Sequence, residues 1–139
     1  MKVAGGTTGS REIMKAYQIL LVDDDLDFVK ATKLVLESVG YKVTIAGNGK
    51  EALAQMRAEK PDLLILDIIM KTPLEGVAVS QAMWEDDELR EIPIIMVSCI
   101  ASSEHAWLFP TDGYLHCIDF LFKPFKPSDL LDSVRRLLK

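Results

Sequence analysis

Cysteine is nearly missing from this sequence. Cys99 and Cys117 are the only two in 139 residues, each within or beside an apolar stretch. Two cysteines make no disulfide framework, and their spacing is not that of a metal site, so they read as reduced packing thiols of a cytoplasmic protein. Long apolar runs are missing too. None approaches the roughly 20 residues that cross a bilayer, so a soluble chain with no membrane partner is expected. Nor is there an excess of positive charge: 16 Lys and Arg face 21 Asp and Glu, a formal net charge of -5, with the basic residues scattered. Phosphate backbones need a concentrated positive field, which argues against direct nucleic-acid binding. The opening MKVAGGTTGSREIMK lacks the apolar centre of a secretory signal. Residues 1–16 are expected to be a flexible leader, native or added for expression, and 17–139 a single domain. No repeat or low-complexity tract interrupts the rest.

What is present suffices for a core. With 49% apolar and 27% charged residues, the chain has the balance of a globular domain that folds without disulfides or structural metal. From Gln18 onward, five short apolar runs alternate with segments of helical period. We label the runs β1 (Gln18 to Val22), β2 (Lys42 to Ala46), β3 (Leu63 to Leu66), β4 (Ile94 to Val97) and β5 (Asp119 to Phe122). Their length and their Val, Ile, Leu and Phe content suit buried parallel strands. Phe28, Ala31, Val35 and Val39 mark a helix that Gly40 can stop, and Leu130, Leu131, Val134, Leu137 and Leu138 mark a last helix with Pro127 in its first turn. Further helices are expected around Gly49 to Glu59 and Val77 to Glu85. The alternation predicts an α/β fold, a doubly wound parallel sheet with helices on both faces.

The residues that follow the runs carry the functional signal. β1 is followed by Asp23, Asp24 and Asp25, β3 by Asp67, β4 by Ser98 and β5 by Lys123. In an open parallel sheet the carboxyl ends of the strands share one edge, where ligands bind. If β1 and β3 are neighbours, strands about 4.8 Å apart bring two carboxylates together, and their repulsion is relieved by a divalent cation. Hard oxygen donors suit Mg²⁺ or Mn²⁺. Ser98 can donate to a phosphoryl oxygen, and Lys123, roughly 10 Å from Asp67 at the backbone, can reach the same group with its long side chain.

The segments ILLVDDD, LLILDIIM, IPIIMVS and FLFKPF, in this order and spacing, resemble the receiver domains of two-component response regulators, the chemotaxis-regulator-like family. The resemblance covers about Gln18 to Lys139. It implies a flavodoxin-like five-stranded parallel sheet of order 2-1-3-4-5 with five helices. By position it implies Asp67 as phosphoacceptor. Asp24 and Asp67 would be metal ligands together with the backbone carbonyl of Ile69, with Asp23 acting through water, and Ser98 and Lys123 would bind phosphoryl oxygens. Phe120 would be the aromatic switch on β5, where many members carry Tyr. The donor would be a histidine kinase or histidine phosphotransfer protein, and the readout a changed surface of the fourth helix, β5 and the last helix, offered to a downstream protein or to a second copy of the chain. Such a domain catalyses its own phosphorylation and dephosphorylation and is otherwise no enzyme.

The chain departs from the family pattern in three places. The loop after Asp67 runs Met70, Lys71, Thr72, Pro73, Leu74, Glu75, Gly76, one residue longer than usual. Pro110 and Thr111-Asp112-Gly113 interrupt the fourth helix, which is expected to be short or broken. There Trp107, Leu108 and Phe109 read either as core or as a partner patch. Ile69 and Ile100, two residues beyond Asp67 and Ser98, are apolar at positions that flank the water path to the phosphoryl group, so slow autodephosphorylation is the hypothesis. Other polar residues carry bland readings. Asp25 and Asp27 suit a helix cap, and Phe28 and Leu34 stand where a calcium loop needs Gly and Glu. His105 and His116 read as surface or packed histidines, and Cys99 as a small buried thiol. A phosphorylation-independent receiver-fold interaction module is the alternative function.

Overall fold

The computed structural model describes residues 16–67, 75–99 and 118–138, excluding the side chains of 75–77, 98, 99 and 118. In chain order the elements are β1 (Gln18–Val22), α1 (Leu26–Ser38), β2 (Lys42–Ala46), α2 (Gly49–Ala58), β3 (Leu63–Asp67), α3 (Glu75–Trp84), β4 (Ile94–Cys99), β5 (Ile118–Lys123) and α4 (Pro127–Leu137). The expected interrupted helix between β4 and β5 lies outside the described residues, so α4 is the last helix of the sequence reading.

The five strands are all parallel in the order β2-β1-β3-β4-β5, the expected 2-1-3-4-5. Every residue of β3 is buried, which is why this central strand reads as a continuous apolar run: helices cover both faces there, so neither side chain parity meets water. Alternate residues feed separate cores. Leu20, Val22, Leu64, Leu66 and Met96 pack with Ala52 and Met56 of α2 and Val79 and Met83 of α3. Ile19, Leu21, Ile65, Ile95 and Val97 pack on the opposite face with Val29 and Leu36 of α1 and Leu130 and Val134 of α4. Each fully buried Leu or Ile contributes about 1.5–3 kcal/mol relative to exposure.

Local signals set the element ends. Asp25 caps α1, its carboxylate accepting the N–H groups of Asp27 and Phe28. At the other end Gly40 adopts φ 101°, a left-handed conformation open to glycine at no steric cost. Asn48 caps α2 by accepting from Glu51 N, and Pro127 opens α4. The buried side of α1 differs from the expected stripe: Val29, Thr32 and Leu36 face inward, Phe28 and Val35 are partly buried, and Ala31 and Val39 are exposed. Val29 and Leu36 adjoin Phe28 and Val35, so the helical period is the same for both stripes. Packing on the sheet sets the phase.

β3, β4 and β5 each run further than the apolar pattern implied, ending on Asp67, Cys99 and Lys123. The polar residues at the carboxyl edge therefore belong to the sheet ladder itself. Their backbones are held by strand pairing rather than by loops.

Candidate functional site

β1 and β3 are adjacent, with Val22 paired to Leu66, so the next residue of each strand, Asp23 and Asp67, emerges side by side at the carboxyl edge. Asp23 N continues the ladder to β2 by donating to Ala46 O at 3.2 Å. Asp23 is 2% and Asp67 7% exposed, whereas Asp24 is exposed. One carboxylate oxygen from each of Asp23, Asp24 and Asp67 lies within 4.8 Å of the others.

Among the described residues, one ammonium reaches this acidic group. Lys123 comes from β5, separated from β3 by β4, and its side chain crosses the gap. Lys123 Nζ donates to Asp23 Oδ2 at 3.0 Å and stands 3.9 Å from Asp67 Oδ2. Asp23 Oδ1 is occupied as well, accepting Asp25 N at 2.9 Å. Among the described residues, three carboxylates against one ammonium leave the cluster with an excess of negative charge in a largely buried setting, which a cation of charge two would offset.

The donor set fits Mg²⁺ or Mn²⁺. All three ligand groups are hard carboxylate oxygens with no thiolate or imidazole among them. Three such oxygens within 4.8 Å of one another are close enough to serve one small divalent ion.

The other expected site residues fall differently. Ser98 continues β4 one residue past Val97, which pairs with Asp67, and is itself paired with Phe122, so its backbone reaches the same edge. Phe120 pairs with Met96 and is partly buried against the core that includes Leu20 and Met96. Ile69 and Ile100 lie outside the described residues, as do Lys71, His105, His116, Cys117 and Trp107 to Phe109. Asp25 takes the expected capping role.

Two contributors were not foreseen. Lys123 Nζ sits 3.9 Å from the centroid of the Phe28 ring, in cation–π geometry. That ring meets Phe125 edge-on, with centroids 5.9 Å apart and planes at 90°. Both phenylalanines stand close in sequence to site residues, Phe28 four beyond Asp24 and Phe125 two beyond Lys123. That proximity was the available signal.

Residues 19–135 match the family described as the response regulator receiver domain. The chain belongs to the response-regulator receiver family. Among curated proteins it is 33% identical over 122 residues to the probable transcriptional regulator ycf27 of Cyanophora paradoxa, covering 88% of this chain and 48% of that protein. It is 30% identical over 122 residues to the DNA-binding response regulator MtrA of Mycolicibacterium paratuberculosis, covering 88% of this chain and 51% of that one. The chain thus spans about half the length of the curated relatives it matches. A solved receiver domain of a signal transduction histidine kinase from Syntrophus aciditrophicus superposes with a TM-score of 0.76 at 31% identity, over 88% of this chain and 90% of that one. A CheY-like receiver domain protein from Methanospirillum hungatei superposes with a TM-score of 0.72 at 31% identity, over 89% and 94%. Response regulators work with histidine kinases and downstream effectors, and an acidic pocket like that of Asp23, Asp24 and Asp67 is where receiver domains typically bind Mg²⁺. No helix among the described residues is long and apolar enough to cross a membrane.

Proposed function

We propose that this receiver accepts a phosphoryl group on Asp67 from a phosphohistidine of a histidine kinase or phosphotransfer protein. The observation that carries the reading is a carboxylate at the end of a central strand, within 4.8 Å of two further carboxylates and 3.9 Å from an ammonium. Residues 17–139 form the receiver in this reading.

Phosphoryl transfer asks the protein for alignment and charge neutralisation more than for an activated nucleophile. An Asp67 oxygen forms the new bond to phosphorus while the bond from phosphorus to the imidazole nitrogen breaks. The electron pair stays on that nitrogen, which takes up a proton. Asp24, Asp67 and the carbonyl of Ile69 would hold Mg²⁺ or Mn²⁺, with Asp23 acting through water, and the bound ion supplies charge neutralisation to the phosphoryl oxygens. Lys123 turns from its carboxylate partners to a phosphoryl oxygen as charge builds there.

The product carries more negative charge and more acceptor oxygens than a carboxylate. Ser98 is drawn to it by a hydrogen bond, and Phe120, already partly buried, moves into the space vacated. The surface formed by the segment between β4 and β5, by β5 and by α4 changes accordingly and is read by a downstream protein or by a second copy of the chain. Ile69 and Ile100 keep water from the aspartyl phosphate and prolong the signal.

The test is incubation with acetyl phosphate and Mg²⁺ followed by intact mass, with Asp67→Asn as control. The wild type is expected to gain one phosphoryl mass and the variant none. A wild type that stays unmodified while its fold is intact would leave the phosphorylation-independent interaction module as the reading.

A further inference from the structure

We infer that Phe28 is a positioning residue for Lys123, its ring holding the ammonium where it can pass from carboxylates to an incoming phosphoryl group. The inference rests on the proposed phosphoacceptor role of Asp67. The observation behind it is a closed circuit of four residues. Asp23 Oδ1 accepts Asp25 N at 2.9 Å. The Asp25 carboxylate accepts Phe28 N at 3.2 Å. The Phe28 ring faces Lys123 Nζ at 3.9 Å, and Lys123 Nζ returns to Asp23 Oδ2 at 3.0 Å. The cap of α1 and the charge of β5 are thereby tied to the same buried carboxylate.

The ring is itself held in place. Phe125, two residues past Lys123, meets it edge-on at 90°, an arrangement in which the positive ring edge of one partner faces the negative face of the other. A lysine side chain has four flexible carbons and many rotamers, so its charge needs restraint to stay useful. Asp23 alone would restrain it, but through a strong ion pair that competes with the phosphoryl group. The ring face attracts the cation without a hydrogen bond that must be broken, so the ammonium stays at the site and remains transferable. A leucine at position 28 would fill the same space and offer no negative face.

An open cavity of about 430 Å³ lined by Phe28, Lys123, Pro124 and Phe125 lies beside the contact. Water therefore reaches it, and the effect belongs at the lower end of the cation–π range. About 1 kcal/mol corresponds to a roughly five-fold change in rate.

The experiment measures the rate of phosphoryl uptake from acetyl phosphate with Mg²⁺, a donor too small to depend on a protein docking surface. Phe28→Leu and Phe28→Met are expected to be about five-fold slower, and Phe28→Trp, with the stronger ring face, to match or exceed the wild type. In a Lys123→Met background, Phe28→Leu is expected to change nothing further. The Lys123 Cε protons, shifted upfield by the ring current in the wild type, should lose that shift in Phe28→Leu. Uptake at the wild-type rate in both aliphatic variants, or an equal slowing with and without Lys123, would overturn the assignment. A wild type that takes up no phosphate would instead overturn the phosphoacceptor reading, and the positioning role with it.

Discussion

Replacing Asp67 by Asn is expected to stabilise the metal-free protein even though it removes the proposed acceptor. The carboxylate lies within 4.8 Å of two others, and at an effective dielectric of about 20 each such pair of unit charges repels by about 3.5 kcal/mol. Against this stands, among the described residues, the attraction to Lys123 at 3.9 Å, about 4 kcal/mol on the same basis. That ammonium is closer to Asp23, at 3.0 Å, and keeps its partner when Asp67 is neutralised. Asp24 is exposed, so its repulsion is screened and the net gain shrinks to about 1–2 kcal/mol. With a urea m-value of about 2 kcal/mol/M, the unfolding midpoint in EDTA should rise by roughly 0.5–1 M, read by far-UV circular dichroism. Adding Mg²⁺ should reverse the order. A ligand at a hundred times its dissociation constant stabilises the native state by about 2.7 kcal/mol, more than the gain from the substitution, and the variant loses most of that because a proposed ligand carboxylate is gone. A variant less stable than wild type in EDTA would refute the reasoning, since the pairing of Asp67 would then outweigh its repulsions.

The remaining predictions read other parts of the molecule. Asp25→Ala removes the cap that holds the N–H groups of Asp27 and Phe28 and should cost about 1 kcal/mol in urea unfolding; no change in midpoint would mean that water replaces the cap. Asp119→Ala deprives the buried Ser133 hydroxyl and the Arg136 guanidinium of a shared acceptor, and a loss of about 1–3 kcal/mol is expected, while Arg136→Ala alone should cost less because its guanidinium is exposed. Leu66→Ala, at a site with no solvent exposure, should cost about 2–5 kcal/mol. Phosphorylated Ile69→Asn is expected to lose label faster than wild type, and an equal lifetime would count against water exclusion at that position.

The fold was legible because the central strands are buried on both faces. A run such as LLIL in β3 has no polar partner position, so its length separates it from a helix and its neighbours in sequence supply the covering layers. Where burial is one-sided, as on α1, the pattern fixed the period and left the phase open, because Phe28–Val29 and Val35–Leu36 are adjacent apolar pairs. Only contact with Leu21 and Ile65 on the sheet decides which of each pair turns inward. The strand ends were underestimated for a related reason: Asp67 and Lys123 are polar and interrupt the apolar run, yet backbone pairing ignores side-chain polarity and carries the ladder through them.

The site was legible to the extent that parallel topology converts sequence position into place. Asp23 and Asp67 are 44 residues apart, but each follows the last apolar residue of a strand, and adjacent strands in register deliver both to one edge. How the Lys123 ammonium is divided does not follow from strand order. Two strand spacings put Lys123 within reach of Asp67, whereas its closest contact is Asp23, because the path of the side chain depends on the first turn of α1 and on Phe125. A strand-end pattern carries no information about a helix face. The phenylalanines beside the ammonium were therefore visible in the sequence as hydrophobic residues and invisible as neighbours of the site, and the same holds wherever a ring joins an acid around a cation.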